Sequence, residues 1–292
     1  MRSYRLLGAG LFALATSIVG CVVLGPLVLD VIHFRTSTSG LDQIRGADLA
    51  ALVVVAPACV VIGGLAWRGH SVAPVLALAP ALFALYTYSQ LVLGNEYRIL
   101  PGNVERFFPL LLGVFLLAAA VAVGARRLLR SDDLPAPTRR LERGSGILLL
   151  VIAAFVVLGL HLPTLLDAMG DNPTGTAYRA TPAAFWVIKF YDLGVVAPAA
   201  LVIGLGLLRR RRWAAAPAYV ILGAYALLGW SVAGMAWSML LSGGPEASVG
   251  IAVAMTGLAV ALSVFIGFLC RPLFQAPTTT LDRVQRLDRV VT

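Results

Sequence analysis

DLAALVVVAPACVVIGGLAW, residues 48–67, and DLGVVAPAALVIGLGLL, residues 192–208, decide how the rest of the chain is read. Each opens on Asp-Leu and then stays apolar, with no polar–apolar alternation. A helix rises 1.5 Å per residue, so about 20 apolar residues cross the ~30 Å of hydrocarbon in a bilayer. Lipid offers the backbone no water partner, and a non-alternating run of this length satisfies itself as a helix rather than as a barrel strand. The two stretches also share a register. Val54-Val55-Ala56-Pro57-Ala58 recurs as Val195-Val196-Ala197-Pro198-Ala199, Ile62-Gly63 as Ile203-Gly204, and Arg68 as Arg209.

Similar runs cover the chain at 6–30, 72–93, 107–125, 145–168, 214–240 and 248–270, with 190–208 extending the second quoted stretch. The 292 residues are 59% hydrophobic and 13% charged, with mean hydropathy +0.88. A soluble domain carries about 25% charged residues, so the solvent for most of this chain is lipid. The spacing predicts an all-α integral membrane protein with eight transmembrane helices. Arg2 and Arg5, followed by an apolar run to Ile18-Val19-Gly20-Cys21, resemble a lipoprotein signal, but Val22 to Leu29 stay apolar, so the first run reads as a retained helix.

The net charge of +9 comes almost wholly from arginine; Lys189 is the sole lysine. Of the 23 basic residues, 17 lie in the termini and in 68–71, 126–144 and 209–213, and 6 lie in the alternate connections. The positive-inside rule then predicts a cell-membrane protein with both termini cytoplasmic. This placement of the arginines favours the lipid bilayer over nucleic acid as the partner. Tyr97, Phe107, Tyr178, Trp186 and Tyr191 fall near the outer interface, where amphipathic rings settle.

Further matches extend the internal repeat. Asp48-Leu49 pairs with Asp192-Leu193 across a three-residue length difference, and each aspartate follows a base by three residues, Arg45 or Lys189. Pro26 and Asp30 match Pro163 and Asp167. The organisation expected is a four-helix repeat over 1–125, a basic cytoplasmic linker over 126–144, a second four-helix repeat over 145–270 and a cytoplasmic tail over 271–292. Four helices is an even number, so the repeats are parallel, related by an axis along the membrane normal. The tail repeats Leu-Asp-Arg-Val at 281–284 and 287–290.

Acids in or beside a membrane are expensive and are weighed one by one. Asp48 and Asp192 begin the quoted runs, where a carboxylate caps free N–H groups and suits the positive end of the dipole. Asp30 and Asp167 fall at helix C-termini, where the dipole disfavours negative charge. Arg45 and Lys189, a bound cation, or water are the alternatives that compensate them. The expectation is that Asp30 gathers with Arg45 and Asp48, and Asp167 with Lys189 and Asp192, as a charged outer vestibule for a cation or polar solute. Pro57 and Pro198 each free a backbone carbonyl one turn back, giving a hinge, a carbonyl ligand or a plain kink. His161 has Leu24 as its counterpart and breaks the symmetry; it is either a titrating group or a neutral histidine bonded within the bundle. The outer loop 95–106 also lacks a counterpart of similar length; it reads as a polar solvated loop, and it is where recognition specific to one half would live.

Cys21, Cys59 and Cys270 form no paired motif or metal-ligand spacing and read as small packing residues. No GxxxxGK[ST], HExxH or GxSxG occurs, so no cofactor, metal or catalytic residue is predicted. Arg45-Gly46-Ala47-Asp48-Leu49, Tyr86-Thr87-Tyr88, and Asp192-Leu193 with Pro198 and the arginines at 209–212 resemble an uncharacterised family of bacterial multi-pass membrane proteins. That family reads roughly Gly-Gln-Asp-Leu where this chain has Ala47 in place of the glutamine. The resemblance covers the second, third and sixth runs and implies an integral membrane protein without supplying an activity. The functional expectation is a small-solute or ion transporter with its site between the repeats on the outer half. The alternative is a non-transporting scaffold, sensor or complex subunit. An enzyme acting on lipid-linked substrates through an outer aspartate is a third reading and not the expected one.

Overall fold

Eight helices long and apolar enough to cross a membrane make up the structure, a computed structural model describing residues 1–129, 134–135, 137–244 and 247–275. They are α1 (Arg2–Leu24), α2 (Thr38–Trp67), α3 (Ala73–Leu93), α4 (Val104–Leu128), α5 (Arg139–Ala168), α6 (Pro182–Leu208), α7 (Arg212–Leu241) and α8 (Val249–Gln275). No strand occurs among the described residues. The Leu-Asp-Arg-Val pair of the tail lies outside them.

Neighbours in sequence pack as hairpin pairs, α1 on α2, α3 on α4, α5 on α6 and α7 on α8. In addition α7 lies against both α2 and α3, which joins the front of the chain to the back. The span most buried by protein is α3, at 56%; α8, at 17%, is the most peripheral. Val60, Val61, Val123, Val202, Val264 and Phe268 remain exposed on the outside of the bundle, as apolar side chains facing lipid do. The α1–α4 packing has no equally close counterpart between α5 and α8, so the two halves are not alike throughout.

Lipid tails are as apolar as leucine, so these helices associate by close fit rather than by hydrophobic exclusion. Glycine allows that fit where backbones meet. A Cβ on Gly8 would lie 2.9 Å from the Gly63 carbonyl oxygen, and one on Gly146 would lie 3.0 Å from that of Gly204. Gly63 and Gly204 are the glycines matched in the repeat register, so both hairpins cross at corresponding points.

The helix starts differ from the sequence reading. α2 begins at Thr38 rather than at 48, because Ser37 caps it by accepting from the Gly40 amide at 3.1 Å. α6 begins at Pro182 rather than at 190. Asp48 and Asp192 are therefore interior residues of long helices and not N-caps. Helix α1 stops at Leu24 instead of 30: Gly25 is extended, Pro26 has no N–H to give, and Asp30 turns at φ 49°. The 126–144 linker is helical at both ends, since α4 runs to Leu128 and α5 starts at Arg139.

Pro57 and Pro198 have a shared local consequence. Proline removes one helical N–H and its ring presses on the carbonyl four residues back. The chain relieves this with a wide turn at Ala51–Val55 and another at Asp192–Val196, where Ala56 N–H bonds Ala51 C=O and Ala197 N–H bonds Asp192 C=O. A third wide turn, Phe155–His161, precedes Pro163 in α5. Because α2 and α6 run unbroken through these turns, the proline register equates Asp48 with Lys189 and Ala51 with Asp192. The three-residue gap that would equate the two aspartates has no place in a continuous helix.

One end of the bundle carries the arginines at 209–212; the other carries segment 25–37 and loop 94–103, and is called the loop end below. There Asn103 accepts from the His33 amide at 2.8 Å and donates to the Val31 carbonyl at 2.9 Å. Arg35 meets Glu105 at 2.6 Å, and that carboxylate raises the guanidinium pKa further. Glu96, 6% exposed, accepts from the Ala183 amide at 2.6 Å and so caps α6. Glu96→Ala is expected to cost about 1 kcal/mol by loss of this cap. Faster amide exchange at Ala183 than in wild type is the check; unchanged exchange would count against the capping role.

Candidate functional site

Ten residues into α6, roughly 15 Å from its start at the loop end, the chain places a carboxylate among apolar helices. This is Asp192, the first residue of the wide turn before Pro198. Tyr86 of α3 donates its hydroxyl to Asp192 Oδ1 at 2.7 Å. His161, the last residue of the wide turn in α5, sets Nε2 2.8 Å from Asp192 Oδ2, sharing a hydrogen with it. Three helices from both halves of the chain thus meet on one side chain. The wide turns explain how: each swings the following residues off the regular helical face, and His161 and Asp192 sit at facing edges of two such turns.

Lys189 lies one turn nearer the loop end on α6, only 6% exposed. Its ammonium donates to Thr164 Oγ1 at 2.9 Å and stands 3.7 Å over the Phe185 ring. Thr164 in turn donates to the His161 carbonyl at 3.1 Å. The ammonium makes no direct ion pair with Asp192, but the Asp192 charge acts on it. Gln90, one turn beyond Tyr86 on α3, has a buried amide Nε2 and acts on the Tyr86 hydroxyl. Tyr225 of α7 donates to the Val196 carbonyl inside the same wide turn.

The sequence-predicted residues divide into three groups. Asp192, His161 and Lys189 come together as described. Arg45 and Asp48 lie near the end of α1, but apart from each other: Arg45 donates to the Pro26 carbonyl at 3.3 Å and meets Asp42 at 3.4 Å. Asp42 is buried and also accepts from Ser242, just past the end of α7, at 2.6 Å. Asp30 and Asp167 join neither group. Asp30 is largely exposed, 3.9 Å from His33, and Asp167 accepts from Thr174 and Gly175, tying down the loop after its own helix. Local donors answer the dipole problem at Asp167, so Lys189 is not required there. The double vestibule expected from the sequence is replaced by one cluster in α3, α5 and α6 and a separate carboxyl on α2.

Tyr86, Thr164, Gln90, Asp42 and Ser242 were not singled out as site residues. Tyr86 and Gln90 carried a signal as polar groups in the most buried span. Asp42 carried none, since 31–47 reads as a connection until its helix is seen.

The fold and site are those of a multi-pass α-helical membrane protein with a polar cluster sealed among its spans. Comparison with protein-family models, with curated proteins and with solved structures found no match to this chain.

Proposed function

We propose that the protein carries a small polar solute or ion across the cell membrane, with Asp192, His161, Tyr86 and Lys189 as the site. The supporting observation is the Asp192 carboxylate held between Tyr86 and His161 at 2.7 and 2.8 Å, inside helices of membrane length. A carboxylate and an imidazole in contact are a pair that passes or holds a proton, and charged groups kept within a span mark substrate or proton paths. The Gln90 amide, its Nε2 buried beside Tyr86, offers a further donor to an entering group. Wide turns next to prolines give α2, α5 and α6 places to bend.

The basic end is cytoplasmic in this reading, which puts the cluster in the outer half. The chain is two parallel four-helix repeats: the wide turns at 51–55 and 192–196, and the glycine crossings at Gly63 and Gly204, support that relation. The resemblance to bacterial multi-pass membrane proteins fits the same picture.

The test uses pyranine-loaded proteoliposomes under a potassium diffusion potential, with pools of amino acids, sugars and polyamines outside. Wild type is expected to acidify the lumen faster than protein-free vesicles with at least one pool, and Asp192→Asn to lose that flux. A second reading, a non-transporting scaffold, sensor or complex subunit, is favoured by the closure of the cluster, since both Asp192 oxygens already have partners. No flux from well-folded wild type with any pool would select it.

A further inference from the structure

The carboxyl of Asp48 stands apart from the cluster just described and has no partner. Among the described residues no donor bonds to it and no cation pairs with it. Arg45, three residues earlier on α2, is engaged by Asp42 and the Pro26 carbonyl. Asp48 Oδ2 shares the space beside Gly25 with backbone carbonyl oxygens. A Cβ built on Gly25 would lie 2.9 Å from the Cys21 carbonyl oxygen, 3.1 Å from Asp48 Oδ2 and 3.5 Å from the Val22 carbonyl oxygen, so all three oxygens border the side-chain-free face of Gly25. Cys21 and Tyr88 side chains interact with each other nearby and feel the Asp48 charge.

The carbonyls belong to the C-terminal end of α1, where the helix dipole is negative. Most of that end is satisfied: Cys21 accepts from Gly25, Val23 from Leu29, and Leu24 from Val31 and Ile32. The Val22 carbonyl is not, because the residue four ahead is Pro26, which has no N–H. A half-buried carboxylate facing a helix C-terminus and an orphaned carbonyl is costly unless a proton or another positive charge joins it.

We propose that this pocket binds a monovalent cation through Asp48 Oδ2 and the Val22 and Cys21 carbonyl oxygens. One carboxylate balances one positive charge; a divalent ion would leave an unpaired charge within the span and normally draws on more oxygen ligands. The second half of the chain supports the assignment. In the register set by the two wide turns, the residue equivalent to Asp48 is Lys189, whose ammonium is buried beside the end of α5. There the chain supplies its own positive charge at the corresponding place. In the first half the residue at that place is itself acidic, and the nearby base, Arg45, is held by Asp42 and the Pro26 carbonyl. The inference rests on the chain being membrane-spanning and is independent of transport through the Asp192 cluster.

Thermal unfolding of the full chain in detergent tests it, in sodium, potassium or choline chloride at equal ionic strength. Wild type is expected to show a saturable rise in Tm of several degrees with sodium or potassium over choline. Asp48→Asn should abolish that rise, and so should Gly25→Ala, whose methyl fills the space between the oxygens. Tyr86→Phe, in the other cluster, should keep it. Equal Tm in all three salts for wild type overturns the proposal, as does a rise that survives Asp48→Asn or a larger effect of magnesium or calcium. Should Asp48→Asn not fold, Gly25→Ala decides by the same criterion: a retained rise overturns the site.

Discussion

Asp192→Ala is expected to destabilise the bundle by about 3–5 kcal/mol, the loss seen when one member of a buried polar or ionic set is deleted. Two groups are stranded by the change. The Tyr86 hydroxyl and His161 Nε2 both point at Asp192, and His161 Nε2 bonds nothing else, while Tyr86 keeps only the Gln90 side chain. Stranding a buried donor costs its full desolvation, which exceeds what the hydrogen bond itself contributed. Unfolding in mixed micelles, followed by denaturant titration, reads the difference. The coupling is also testable: Asp192→Ala/Tyr86→Phe should lose less than the sum of the two single changes, because the second removes the stranded hydroxyl. A loss below about 1 kcal/mol for Asp192→Ala would mean that the cluster is hydrated rather than sealed.

Gly46→Ala is expected to cost at least the 1–3 kcal/mol typical of overpacking. α2 and α7 cross with their backbones in contact, and a Cβ on Gly46 would come within 2.2 Å of the Gly234 carbonyl oxygen. Backbone cannot rotate away as a side chain can, so the helices must part. Parting them also disturbs the Asp42–Ser242 bond near the same crossing. Gly64→Ala is the control, since a methyl there meets nothing within 4 Å and alanine is the better helix former. Equal stability of the two variants would refute the close crossing.

Some of this was legible in the chain read as a string. The span count came from runs of apolar residues, a one-dimensional property that needs no knowledge of partners. His161, Lys189 and Asp192 could be suspected because ionisable groups are rare in such runs. Their spatial grouping was harder to foresee. Asp48 and Asp192 look like matching caps because each follows a base by three residues and opens an apolar run. The helices begin ten residues earlier, at Thr38 and Pro182, so the aspartates mark a change of hydropathy at Asp48 and a charge within an apolar stretch at Asp192, and neither marks a backbone boundary. The prolines were visible, but the wide turns they bring, and the way those turns aim His161 at Asp192, depend on how each helix absorbs the strain.

The sequence by itself determined that eight segments are helices of membrane length, because a backbone in lipid must satisfy its own hydrogen bonds wherever the side chains are apolar. The tertiary structure alone decided which polar groups meet. Tyr86 and Asp192 are 106 residues apart, and Asp42 and Ser242 are 200 apart. Such contacts follow from glycine crossings and turn geometry that bring whole helices together, and no local pattern along the chain encodes the pairing.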